Sequence, residues 1–235
     1  MCEATTITQG ESMTTPAPAL PETVVALPPR TPTHTWSRTP GGYDIRPPRT
    51  HFQQNAVSRL VHRMYAWRGY SIQSSGYPAD DPNRITLAVW EDEDVVATLT
   101  IGLDSADGLL ADALYAQELS GLRRPGRRVC EVTRLAVHPQ HSSGRILNAL
   151  FRTALLYGKE HFQASDAVIE VNPRHVRFYE RRFGFRQVGK IRQCERVNAP
   201  AVLLHQTLDS LIVRDNGLDY LPDEWSTHAP LAAAS

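Results

Sequence analysis

The sequence predicts an α/β (α+β) fold, a mixed sheet with βαβ crossovers in its second half. Three observations carry this. The runs ITLAVW and VVATLTIGL flank the acidic turn EDED and read as a hairpin of β-rich strands. RVCEVTRLAV is almost continuously apolar at strand length, the pattern of a central strand buried on both faces. Beyond it, segments of helical and strand period alternate, as helical crossovers between strands of one sheet require.

The elements follow in order. Residues 1–50 are rich in Thr, Pro and Ala, with prolines interrupting any period, and read as a disordered arm. From Gln53, apolar pairs recur four apart (Ala56/Val57, Leu60/Val61, Met64/Tyr65), one stripe of an amphipathic helix that ends by Gly69. The hairpin comes next, then a short helix over LLADALYAQELSGL and the central strand. Ser142-Ser143-Gly144 precede a second amphipathic helix with the stripe Ile146/Leu147, Leu150/Phe151, Ala154/Leu155. DAVIEV is a strand and RHVRFYERRF a short helix, and the β-like runs FRQVGKI and AVLLHQTL close a domain spanning residues 51–209. Residues 210–235 form a terminal appendage.

The totals exclude several classes. A formal net charge of +0 gives no global field to recruit nucleic acid or an anionic membrane. Three cysteines, Cys2, Cys130 and Cys194, contain no CxxC and suit reduced thiols better than a disulfide framework or a structural zinc site. The start lacks a basic segment followed by an apolar one, and no apolar run approaches the roughly 20 residues of a membrane span. A soluble cytoplasmic protein without a metal is expected.

Two motifs carry chemistry. EVTRLAVHP is followed by SSGRILNALFRTA, and VNPRHVRFYERRFGF, with Tyr179 set among four arginines ahead of Gly184, is followed by VGKIR and NAPAVLL. Over roughly His51 to Asp209 the chain resembles the GNAT superfamily of N-acyltransferases. The Asn-Pro-Arg-His version of the second motif is similar to N-acyl amino acid synthases of the FeeM type. Glu131-x-x-Arg134 is similar to the Glu and Arg of acyl-homoserine-lactone autoinducer synthases. The resemblance implies a GNAT-like, mostly antiparallel central sheet flanked by helices. It also implies transfer of a long-chain fatty acyl group from an acyl carrier protein thioester to the α-amine of an amino acid.

The residues can be weighed for that reaction, which needs a base for the ammonium, donors for the oxyanion and an acid for the thiolate. Glu131, in an apolar strand, is the candidate base; the alternative is a buried ion pair with Arg134 or Arg128. Strict alternation puts Glu131 and Arg134 on opposite faces, and a β-bulge between them would let Arg134 anchor the acceptor carboxylate. The resemblance makes Tyr179 the acid for the leaving thiol. The alternative is a core aromatic, for which Phe178 is the better candidate because Tyr keeps a hydroxyl that wants a partner. Asn172 and His175 fix the loop or assist proton transfer.

The resemblance also places Val137, Ser143, Gly144, Arg145 and Asn172 at the donor. Related acetyltransferases hold the coenzyme A pyrophosphate with Q/R-x-x-G-x-G/A at a helix N-terminus. Here the register is His141-x-x-Gly144-x-Ile146, partial for coenzyme A and adequate for the phosphopantetheine arm of a carrier protein. No tightly bound cofactor is expected. Arg123, Arg124, Arg127 and Arg128, with Arg145 and Arg152, are either a solvated face or a dock for an acidic carrier protein. The alternatives are a coenzyme A-dependent N-acetyltransferase, an autoinducer-synthase-like enzyme and a regulatory binding module without activity.

Overall fold

A computed structural model describes residues 43–70, 81–141 and 144–208. Strand β1 (Asp44–Arg46) is followed by helix α1 (His51–Trp67), the hairpin β2 (Arg84–Glu91) and β3 (Asp94–Leu103), and helix α2 (Asp112–Leu122). Then come β4 (Val129–Val137), α3 (Gly144–Glu160), β5 (Asp166–Val171), α4 (Val176–Phe183), and strands β6 (Arg186–Gln187), β7 (Arg192–Cys194) and β8 (Ala199–Thr207). The sheet runs β1-β2-β3-β4-β5-β8-β6, with β7 also on β8. Every pair is antiparallel except β4–β5, the parallel pair that α3 connects. This is the mixed, mostly antiparallel sheet expected from the sequence.

Local chemistry sets the helix ends. Thr50 caps α1 by accepting from the Gln53 amide of the first turn, while the Gln53 side chain accepts at 2.8 Å from the N–H of Arg49, the residue before the cap. Helix α4 stops because Gly184 takes φ +77°, and its N–H donates back to Glu180 O. The apolar stripe of α3 (Ile146, Leu147, Leu150, Phe151, Ala154, Leu155) is buried throughout. It packs with α4 on one sheet face, formed by Leu87, Leu99, Ile101, Val132, Ile169 and Leu204. Helix α1 covers Ala88, Trp90 and Ala136 on the opposite face, and α2 covers Val129, Val168 and Leu203. Among the described residues no helix is long and apolar enough to cross a membrane.

The structure departs from the sequence reading in two places. The sheet begins at Asp44, within the segment assigned to the arm; residues 1–42 and 209–235 lie outside the described residues. Three residues are too short for a periodic signal, but Ile45 is buried against the core and Trp90 donates its indole N–H to Arg46 O at 3.2 Å. A chain starting at His51 is therefore expected to be less stable than one starting at Tyr43 by about 2–5 kcal/mol, the range for losing a large buried aliphatic side chain. Urea midpoints measure this, and equal midpoints would show β1 to be dispensable.

The second departure is FRQVGKI, which forms only the two-residue β6 before the chain turns, leaving Val188 and Ile191 exposed. A Cβ on Gly189 would lie 2.6 Å from the Tyr115 ring, so the chain bends there, where only glycine allows the approach.

Candidate active site

The centre of the site is a defect in β4. Thr98 pairs with Ala136 and Thr100 with Thr133, so three steps on β4 oppose two on β3. The extra residue is a β-bulge, and Arg134 there takes φ +52°, in the left-handed region that non-glycine residues seldom occupy. Its consequence is a change of parity. Val132 and Val137 sit in the same core layer although they are five positions apart, while Ala136 packs under α1. Arg134 thereby comes to the α1 side, the side of Glu131.

The bulge also ends a ladder. Parallel pairing of β4 with β5 stops at Val132↔Ile169, although β4 continues to Val137 and β5 to Val171. Two cavities occupy the divergence, one of about 160 Å³ and one of about 390 Å³. They share walls at Tyr65, Val132, Thr133, Arg134, Glu170 and Asn172. Tyr179, His175, Gly144 and Val137 line the smaller, and Glu131 and Arg196 the larger.

Glu131 is 1% exposed, and its two carboxylate oxygens accept from Leu110 N–H at 2.8 Å and Ala111 N–H at 3.0 Å. Neither Arg134 nor Arg128 is its hydrogen-bond partner, so the buried ion pair is not what the structure contains. Burial pushes the Glu131 carboxyl up to about 7; the Leu110 amide and the charge of Arg196 oppose that rise. Such a group exchanges protons near neutral pH.

Tyr179 is 7% exposed and packs beside Phe151, Phe178 and Phe183 with ring centroids 5.1–6.1 Å away. Phe178 is only half-buried, which reverses the expectation that Phe178 is the better core aromatic. Tyr179 is at once a core ring and a cavity wall. Burial raises its phenol above the ordinary range, so it stays protonated.

His175 is neutral: burial, then the charges of Arg174 and Arg68, lower it to about 4, and its Nε2 accepts from Arg174 Nε at 3.2 Å. Asn172 accepts from Arg174 N–H and shapes the turn before α4. Gly144 opens α3 at the smaller cavity, Arg145 is exposed beside it, and Ser143 lies outside the described residues. Ile146 packs in the core rather than at the cavity.

Several cavity residues escaped the sequence reading. Glu170 pairs with Arg196 at 2.8 Å and lines both cavities. A carboxylate in the apolar strand DAVIEV is the same signal that singled out Glu131. Tyr65 was legible only as part of a helical stripe, and Arg68 had no signal at all.

The family model for the N-acyl amino acid synthase FeeM matches residues 56–207. The chain belongs to the FeeM family of N-acyl amino acid synthases. The structure of FeeM from uncultured soil microbes is similar over 72% of this chain and 93% of its own, with 28% identity and a TM-score of 0.68. Two more distant structures share the fold. Escherichia coli ElaA has 12% identity, TM-score 0.52, and coverage of 70% and 98%. A putative N-acetyltransferase from Lactobacillus plantarum has 16% identity, TM-score 0.53, and coverage of 71% and 98%. No curated protein sequence matches the chain. Membership of the FeeM family makes this protein an N-acyltransferase with the GNAT fold.

Proposed function

We propose that this N-acyltransferase moves a long-chain fatty acyl group from the thioester of an acyl carrier protein to the α-amine of an amino acid, giving an N-acyl amino acid. What supports the reading is a buried carboxyl titrating near neutrality and a buried phenol on two cavities that meet where β4 and β5 part. The donor's phosphopantetheine arm lies along Val137, Asn172 and the start of α3 at Gly144, with Arg145 at the phosphate. Glu131 takes a proton from the acceptor's ammonium, and the freed nitrogen attacks the thioester carbonyl carbon. As the C–S bond breaks, the thiolate takes the proton of Tyr179, and the second proton on nitrogen restores the phenol. Glu131 then returns its proton to solvent, so each turnover releases one amide, one thiol and one proton. Arg134, turned to the α1 side by the bulge, supplies positive charge for the acceptor carboxylate.

The arginines expected to dock the carrier protein divide into two groups. Arg123 is committed to Asp104 and Asp112 through four hydrogen bonds, and Arg127 to Asp166. Arg123–Arg128 also precede β4, whose nine residues put them roughly 25–30 Å along the strand from the Val137 end that leads to α3. Arg145, Arg174 and Arg177 are exposed and adjoin in sequence Gly144, His175 and Phe178, which line the smaller cavity. Reversing Arg174 and Arg177 to Glu is expected to raise KM for the carrier-protein donor about tenfold at low salt, with the effect fading as salt rises. The test is turnover of purified full-length protein with acyl carrier protein thioesters, or acyl-coenzyme A, and the twenty amino acids, with products identified by mass spectrometry. Better turnover with acyl-coenzyme A, insensitive to these reversals, would sink the carrier-protein donor.

A further inference from the structure

Arg68, the residue that ends α1, presents an unusual guanidinium. Its Nε and Nη2 atoms are buried and have no hydrogen-bond partner among the described residues. The groups acting on its charge are Tyr65, Tyr70, Tyr179 and Arg174, three phenols and another cation. A buried cation with unmade hydrogen bonds is costly, and folded proteins rarely keep one unless a ligand completes it. Nε and Nη2 also form one edge of the guanidinium, with parallel N–H bonds at the spacing of the two oxygens of a carboxylate.

Its location selects among anions. Arg68 lines the smaller cavity, and its charge is felt by both Tyr179 and His175, so it stands at the reacting centre rather than out at the surface. Tyr65 feels Arg68 and Arg134 together, which brings the two guanidiniums to one phenol from different elements, α1 and the β4 bulge.

We infer that Arg68 is the specificity-determining residue that grips the acceptor's free carboxylate with its Nε/Nη2 edge, so that the acceptor class is α-amino acids and excludes amines or amides lacking that charge. The inference rests on the acyltransfer to an amino acid proposed above. Arg134 adds charge, while Arg68 supplies the fork. Binding of the carboxylate completes Arg68 and fixes the α-amine, whose proton Glu131 then removes.

The test compares the best amino acid acceptor with its carboxamide, using wild type, Arg68→Met and Arg68→Lys in the full chain. Wild type should favour the free acid by about 10²-fold in kcat/KM, the scale of a bidentate charge-assisted contact. Arg68→Met should erase that preference through a higher KM for the acid, leaving the amide and the donor KM unchanged. Arg68→Lys, which keeps charge without the fork, should recover only part of it, and it serves the same comparison should the Met variant misfold. Without ligand, Arg68→Met should keep or raise Tm, because it removes a buried guanidinium whose Nε and Nη2 have no acceptor among the described residues. Equal loss of kcat on acid and amide would assign Arg68 to the oxyanion, and a change confined to the donor KM would assign it to the donor phosphate; either overturns the inference. If wild type acylates amino acids with no dependence on Arg68, the inference fails alone. If it acylates no amino acid, the proposed function fails and the inference with it.

Discussion

Glu131→Gln is expected to lower turnover per folded molecule by about 10²- to 10⁴-fold, the usual worth of a general base. The substitution has a structural cost as well. A glutamine amide nitrogen donates and cannot accept, so one of the Leu110 and Ala111 N–H groups loses its acceptor. That costs about 1–3 kcal/mol, so activity must be normalised to the folded fraction. The pH profile separates catalysis from support. With the carboxyl held up to about 7, turnover should climb through that pH as Glu131 ionises, and the limb should vanish in the variant. The rate deficit should shrink at high pH, where free amine forms unaided.

Stability should run the other way. A carboxyl whose folded pKa exceeds its unfolded value stabilises the fold fully below the unfolded value, near 4.5, and loses that contribution as pH rises through about 7. Glu131→Gln should flatten this part of the Tm-versus-pH curve. A variant of lower stability whose turnover per folded molecule is normal at every pH would make Glu131 a brace for the loop before α2.

Tyr179→Phe is expected to reduce kcat by about 10²-fold with Tm nearly unchanged. The ring keeps its packing against Phe151, Phe178 and Phe183, and only the hydroxyl is lost. If the phenol protonates the departing thiolate, the defect should shrink with an aryl thioester, whose thiolate leaves without a proton. Because burial raises the Tyr179 phenol, no alkaline limb from it should appear below about pH 10 in the wild type. A defect of equal size for alkyl and aryl donors would return Tyr179 to the role of a core aromatic.

What the sequence alone determined is everything carried by short-range periodicity and composition. The stripe of α3, the hairpin, the central strand, the glycine stop of α4, and Glu131 as a carboxylate among apolar neighbours were all legible, because helical and strand repeats are properties of adjacent residues. The two chemical motifs were also readable as contiguous strings, and they carried the resemblance to the FeeM type.

Tertiary structure decided the rest, because it depends on which distant segments meet. Whether Arg134 shares a side with Glu131 is set by register against β3, where Thr98 and Thr100 face Ala136 and Thr133. The opening between β4 and β5 exists because pairing ends at Val132 and Ile169, and neither strand's own sequence marks that point. Glu131 finds its partners on a loop about twenty residues upstream rather than at the arginines nearby in sequence. Arg68 reads in the sequence as an ordinary cation at a helix end. Only the folded chain buries its Nε and Nη2 in a cavity among tyrosines and leaves them without an acceptor among the described residues, since burial and hydrogen-bond satisfaction are relations among residues that only the assembled core brings together.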